Sequence, residues 1–250
     1  MTSSIDVGGP GAAPHDGRRG SGRRRSGVQL TERDRRLLRW IGEQYCARMD
    51  LLGVLMARYS DDPAAQAAGT VGARLAQRRV AAWRSAGLVA SRRILAATPS
   101  MVWLTAEGMA TAGLPWRAFE PAFPTVAHRH ATGIVRAYVE GRGAGLGWTC
   151  ERQLREGLAG GRHCPDAMIT STDQAGRVWR SAVEVELTRK HRPRVEEILR
   201  SSLERYDDVI YFAATDAAPV VTTAAENIGA TERVRVRPYP VPDDALADVA

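Results

Sequence analysis

The chain has 250 residues, 44% of them hydrophobic and 25% charged, the balance of a water-soluble protein with length for one large domain or two smaller ones. No run approaches the roughly 18 apolar residues of a membrane helix, and no apolar signal-peptide core opens the sequence, so a membrane-embedded role is excluded and a cytoplasmic one expected. Cys46, Cys150 and Cys164 form no CxxC pair, which excludes a zinc ribbon or a disulfide framework.

Charge is unevenly placed. Residues 1–113 carry 17 Arg against 9 acids, whereas residues 114–250 carry 17 Arg and one Lys against 19 acids. A basic front and a neutral back point to a polyanion for the front half. Lys190 is the one lysine among 35 basic residues. A chain drifted toward Arg retains Lys where a compact, tunable ammonium is required.

Residues 1–29, rich in Gly, Pro, Ser and Arg, read as a disordered basic tail. Thr31 with Asp34 then reads as a capping box for a helix burying Leu37, Leu38, Ile41 and Tyr45. Asp50 is placed to cap a second helix carrying Leu51, Leu52, Val54, Leu55 and Met56. A turn follows at Asp61, Asp62 and Pro63. A third helix runs from about Thr70 to Ala86 and stops at Gly87.

The third helix has two faces. Ala76, Val80 and Trp83 share one stripe. Arg74, Gln77, Arg78 and Arg84 fall within about 120° on the other. Arg79 lands on the apolar side, with nothing in the spacing to account for it. Two strand-like runs, LVASRRIL and MVWLT, then form a hairpin with Arg92 and Arg93 near its tip, and Thr105 caps a short helix. Helix, helix, Arg-faced helix and basic hairpin is the order of a winged helix-turn-helix over residues 30–114. It predicts that Arg74, Gln77, Arg78 and Arg84 enter the major groove of double-stranded DNA while Arg92 and Arg93 meet phosphates. The same scaffold used for protein contacts is the alternative.

Residues 115–126, with three prolines, read as a linker and domain boundary. Residues 127–250 read as α/β: a helix from His128 to Glu140, a strand at GWTC running into a helix at Glu151, and a strand at HCPDAMIT. A long strand at VWRSAVEVELT, a helix at RPRVEEILRSSLERY, a buried strand at DVIYFAAT, a short helix at AAENIGA and an edge strand at RVRVRPYP complete the series.

Alternation along the long strand puts Val183, Val185 and Leu187 on one face, and Ala182, Glu184, Glu186 and Thr188 on the other. Neighbouring carboxylates on one face repel unless a cation or solvent relieves them, so the choice lies between a site and a solvated strand face. Asp166 on the preceding strand faces them across the hairpin. An Asp and a Glu on adjacent strands suit Mg²⁺ or Mn²⁺. Lys190 lies just beyond, and Glu151 is an outer candidate for the cluster. No phosphate-binding G-x-x-x-x-G-K-[ST] loop and no G-x-S-x-G elbow occurs, against an ATP-driven motor or a serine hydrolase.

Pro165-Asp166, then Glu184-x-Glu186 with a nearby Lys190, a helix and a strand, is similar to the PD-(D/E)xK restriction-endonuclease-like fold. The resemblance implies an α+β or α/β chain: a winged helix-turn-helix followed by a restriction-endonuclease-like mixed-sheet domain. It further implies Asp166 and Glu184 as ligands of Mg²⁺ or Mn²⁺, and Lys190 assisting phosphodiester hydrolysis. The sequence departs from the pattern where Glu186 fills the slot of the Lys. More broadly, LTERDRRLLRWI, RVAAWRSAGLV, VWLTAEGMATAG, CPDAMI and VEVELTRK resemble the replication-relaxation family of plasmids and integrative elements, many of them actinobacterial. That resemblance implies a role in replication control, mobilisation or transcriptional regulation on a mobile element. It implies double-stranded DNA as partner, beside other replication or transfer proteins and a second copy of the chain. Two functions are therefore expected as alternatives: a DNA-binding factor whose nuclease-like domain is degenerate, or a divalent-metal-dependent endonuclease acting through Asp166, Glu184 and Lys190.

Overall fold

Thr31 opens helix α1 (Glu32–Glu43) with the reciprocal capping box that its sequence implies. Thr31 Oγ1 accepts from the Asp34 amide at 3.2 Å, and Asp34 Oδ2 accepts from the Thr31 amide at 2.8 Å. This is a computed structural model describing residues 29–143, 146–158 and 162–240; the expected disordered tail lies, but for Gln29, outside the described residues. Leu37, Leu38 and Ile41 are buried as expected. Tyr45 is not on the helix. It has a left-handed backbone (φ 70°) where the chain turns into a two-residue strand, β1 (Ala47–Arg48), too short to leave a pattern in the sequence.

Helix α2 (Met49–Arg58) has Arg48 at its N-cap; Asp50, expected there, lies in the first turn and accepts from the Arg48 guanidinium. A single turn capped by Asp62, α3 (Pro63–Ala67), occupies the segment that reads as a turn. Helix α4 (Ala73–Ser85) buries Ala76, Val80 and Trp83, as its stripe requires. It ends at Gly87 (φ 78°), with the Leu88 amide donating to the Trp83 carbonyl at 2.9 Å, a Schellman closure. Strands β2 (Val89–Arg92) and β3 (Met101–Leu104) form the hairpin, shorter than the apolar runs suggest, and β1 pairs with the other side of β3. The antiparallel sheet thus has the order β1-β3-β2. Thr105 caps α5 (Ala106–Thr111) as expected. That helix runs so close to the hairpin that a Cβ on Gly108 would lie 1.9 Å from the Leu88 carbonyl oxygen.

Helix α6 (Phe123–Glu140) begins inside the segment expected to be linker, ahead of the expected start at His128. Pro124 falls in its first turn, where a missing N–H costs nothing. Then come β4 (Gly147–Cys150), α7 (Glu151–Glu156), β5 (Ala167–Thr172), β6 (Val178–Glu186), α8 (Arg192–Leu203), β7 (Asp208–Ala213), α9 (Ala218–Asn227) and β8 (Val234–Pro238). The second sheet has the order β4-β5-β6-β7-β8, antiparallel as far as β6 and parallel from β6 to β8. His163 to Asp166, expected in the strand, precede it.

Both faces of the second sheet are covered. Ala131, Val135 and Val139 of α6 pack on Val183, Val185 and Phe212. Val195, Ile198 and Leu199 of α8 and Val221 of α9 pack on Ala182, Val209 and Tyr211. The alternation expected along β6 is therefore the one observed. Ala137 of α6 belongs to the core of the front half as well. Arg136 reaches from α6 to Glu43 at 2.7 Å, and the Trp40 indole donates to Glu140 at 3.0 Å. One helix is thus built into two cores. Among the described residues, no helix is long and apolar enough to cross a membrane.

Candidate nucleic-acid face and carboxylate cluster

Burial of Ala76, Val80 and Trp83 turns the rest of α4 outward. Arg74, Gln77, Arg78 and Arg84 are all exposed, as are Arg92 at the end of β2 and Arg93 in the hairpin loop. Among the described residues, Arg74, Arg78, Arg84 and Arg93 form no ion pair, while Arg92 pairs with Glu120 at 3.0 Å on the surface. Gln77 and Arg93 line the same groove between α4 and the hairpin. Arg79, unaccounted for in the sequence, turns back to the buried Asp34 carboxylate and to the Gln29 carbonyl. It ties α4 to the cap of α1 and is no part of the outward face.

Arginines elsewhere are committed to the fold. Arg136 is buried between Glu43 and Glu140. Arg152 is buried and donates to the Gly42 carbonyl at 2.8 Å. The guanidiniums of Arg129 and Arg152 lie 4.0 and 4.8 Å from the centre of the Tyr45 ring. Unpaired, exposed cations on α4 and the hairpin thus contrast with paired, buried ones behind them.

The second candidate site lies at the junction of β5 and β6. Ala167 pairs with Val183, which brings Asp166 opposite Glu184 at the end of the hairpin. Glu184 and Glu186 are each only 5% exposed, so the solvated-face reading is wrong. α8 covers that face. Each carboxylate has a partner. Asp166 accepts from the Val185 amide at 2.8 Å and lies 2.8 Å from His128 Nε2. Glu184 lies 2.6 Å from His163 Nε2. Lys190 Nζ lies 2.5 Å from Glu186. Glu151 is held by Arg129 and Arg155.

The two facing carboxyls are driven apart in acidity. Burial would raise Asp166, but the His128 bond and charge and the Val185 amide hold it below the ordinary value. Burial pushes Glu184 up to about 7, the His163 bond opposing and the Asp166 charge adding. Asp166, Glu151, His163, Arg155 and Arg162 line an open cleft of about 690 Å³. The buried Tyr211, paired with Glu184 across β7, has a hydroxyl without a hydrogen-bond partner. Burial and then the nearby Glu184, Glu186 and Asp166 charges push its ionisation far up. Burial also pushes the Cys164 thiol up to about 11, so the thiol is no nucleophile at neutral pH.

Asp166 and Glu184 are therefore brought together. Glu186 and Lys190 form a second pair beside them, and Glu151 shares the cleft with its charge already neutralised. Sequence reasoning passed over His128 and His163, which have no metal-ligand spacing, and Tyr211, which reads as core. An aromatic with a hydroxyl on the strand beside Glu-x-Glu is the one signal that could have marked it. Comparison of the chain with protein-family models, curated proteins and solved structures finds no match.

Proposed function

We propose that the protein binds double-stranded DNA through a winged helix-turn-helix. In this reading α4 is the recognition helix in the major groove, and the β2–β3 hairpin is the wing on the phosphates. The observation that carries it is the set of exposed, unpaired arginines on one face of α4, Arg74, Arg78 and Arg84, on a chain whose interior arginines are engaged. Free guanidiniums aligned on a rigid helix suit phosphates and guanine edges. Electrophoretic shift of random-sequence duplexes tests it: R74A and R78A should each weaken binding, and wild-type affinity in both variants would overturn the assignment.

A second reading, divalent-metal-dependent hydrolysis of a phosphodiester in a PD-(D/E)xK-like back domain, is favoured by the split between Asp166 and Glu184. Paired carboxyls pushed apart in acidity are the usual mark of an acid–base or metal site. The donors suit a hard cation: adjoining carboxylates that repel each other, with the orphaned Tyr211 hydroxyl beside them. Asp166 and Glu184 would hold Mg²⁺ or Mn²⁺, which would supply charge neutralisation and a hydroxide at neutral pH. Among the described residues, no three of His, Cys, Asp and Glu are arranged to hold an ion, so His128 and His163 must first release the carboxylates. With Glu186 in the usual lysine slot, Lys190 is tied to Glu186 and would serve from there. Nicking of supercoiled DNA in Mg²⁺ or Mn²⁺ but not in EDTA, lost in D166A and K190A, would establish this reading. DNA shifts without cleavage favour a binding factor on a retired nuclease fold.

The motifs resembling the replication-relaxation family support a cytoplasmic role on a plasmid or integrative element, in replication control, mobilisation or transcription. Other proteins of the element and a second copy of the chain are the partners this reading implies.

A further inference from the structure

Helix α4 carries one large side chain used neither by the core nor by the proposed phosphate contacts. Leu75 is 44% exposed, one of four large hydrophobic side chains so exposed among the described residues. It follows Arg74 and precedes Arg78 by one turn, both exposed and free of ion pairs among the described residues. At 100° per residue, Leu75 lies about 60° around the helix from Arg78 and about 100° from the buried Ala76, on the flank of the outward face. The groove between α4 and the hairpin is lined by Ala76 and Gln77 without it. An isobutyl group held in water among guanidiniums is matched by an apolar feature on a polyanion. The major groove has one: the C5 methyl of thymine.

We propose that Leu75 is a specificity-determining residue that reads a thymine methyl, beside a guanine taken by Arg78. This rests on the DNA-binding reading above and names the bases that the helix prefers. Leu75 and Arg78 are about 4.5 Å apart along the helix axis, against about 3.4 Å between stacked bases, so the two bases are neighbours or next neighbours.

The test is selection by the full-length chain from a pool of random-sequence duplexes. The enriched duplex is then resynthesised with deoxyuridine for thymidine, which removes only the methyl groups. Deoxyuridine at the critical position should weaken wild-type binding about fourfold, the worth of one buried methyl-sized group. L75A should bind the thymidine duplex about as weakly as wild type binds the deoxyuridine one and no longer distinguish the two, while L75M, still apolar, should retain a preference. Wild type that binds the enriched duplex but ignores the methyls overturns the inference and leaves DNA binding standing, as does an undiminished preference in L75A. Failure to enrich any duplex overturns the DNA-binding reading and the inference with it.

Discussion

Glu184 shows how much of a residue's chemistry its neighbours set. Its ordinary value is 4.5, and burial, the Asp166 charge adding, moves it to about 7. The folded state thus holds this proton more tightly than the unfolded one. The stabilisation is complete below pH 4.5 and is lost as pH rises through about 7. E184Q fixes the neutral form, so in EDTA its stability relative to wild type should climb between pH 4.5 and 7 and then level off. Urea unfolding at a series of pH values checks this, and parallel curves would contradict it. The carboxylates themselves were legible, because Glu-x-Glu on an apolar strand admits one geometry. Their histidines were not. His128 and Asp166 are 38 positions apart, and nothing local in either sequence announces the other.

At the scale of elements, the capping box and the stripe of α4 followed from spacing alone, since both depend on residues within a turn or two of one another. Strand β1 and Arg79 depend on distant partners instead. Two residues carry no periodicity, and Arg79 finds its acid 45 positions away. The Asp34 carboxylate, fully buried, serves the Thr31 amide and the Arg79 guanidinium together. Thr31→Ala should cost about 1 kcal/mol, the worth of a cap. Asp34→Ala should cost about 2–4 kcal/mol, because the partly buried Arg79 also loses its counter-ion. Denaturant midpoints of the two variants test the order, and equal losses would show that Arg79 contributes nothing to the fold.

Across the whole molecule, the basic front and neutral back suggested two domains joined by a linker, and the three prolines placed its beginning. Pro124 misled at its end, for a proline in the first turn of a helix looks the same in sequence as one in a loop. α6 consequently serves both cores, and its buried Arg136 holds Glu43 of the front half and its own Glu140. Arg136→Ala leaves two acids facing each other and should cost about 3–5 kcal/mol. Wild type should unfold in one calorimetric transition; two transitions in the wild type would show that the halves are independent.

The central claim, that α4 and the hairpin meet DNA, is tested most directly by the salt dependence of duplex affinity. A plot of log K against log salt should fall steeply for wild type, and removing a phosphate contact should lower the slope by about 1 for each arginine among Arg74, Arg78 and Arg93 that makes one. A flat wild-type plot, or one unchanged when all three arginines are replaced by alanine, would contradict it.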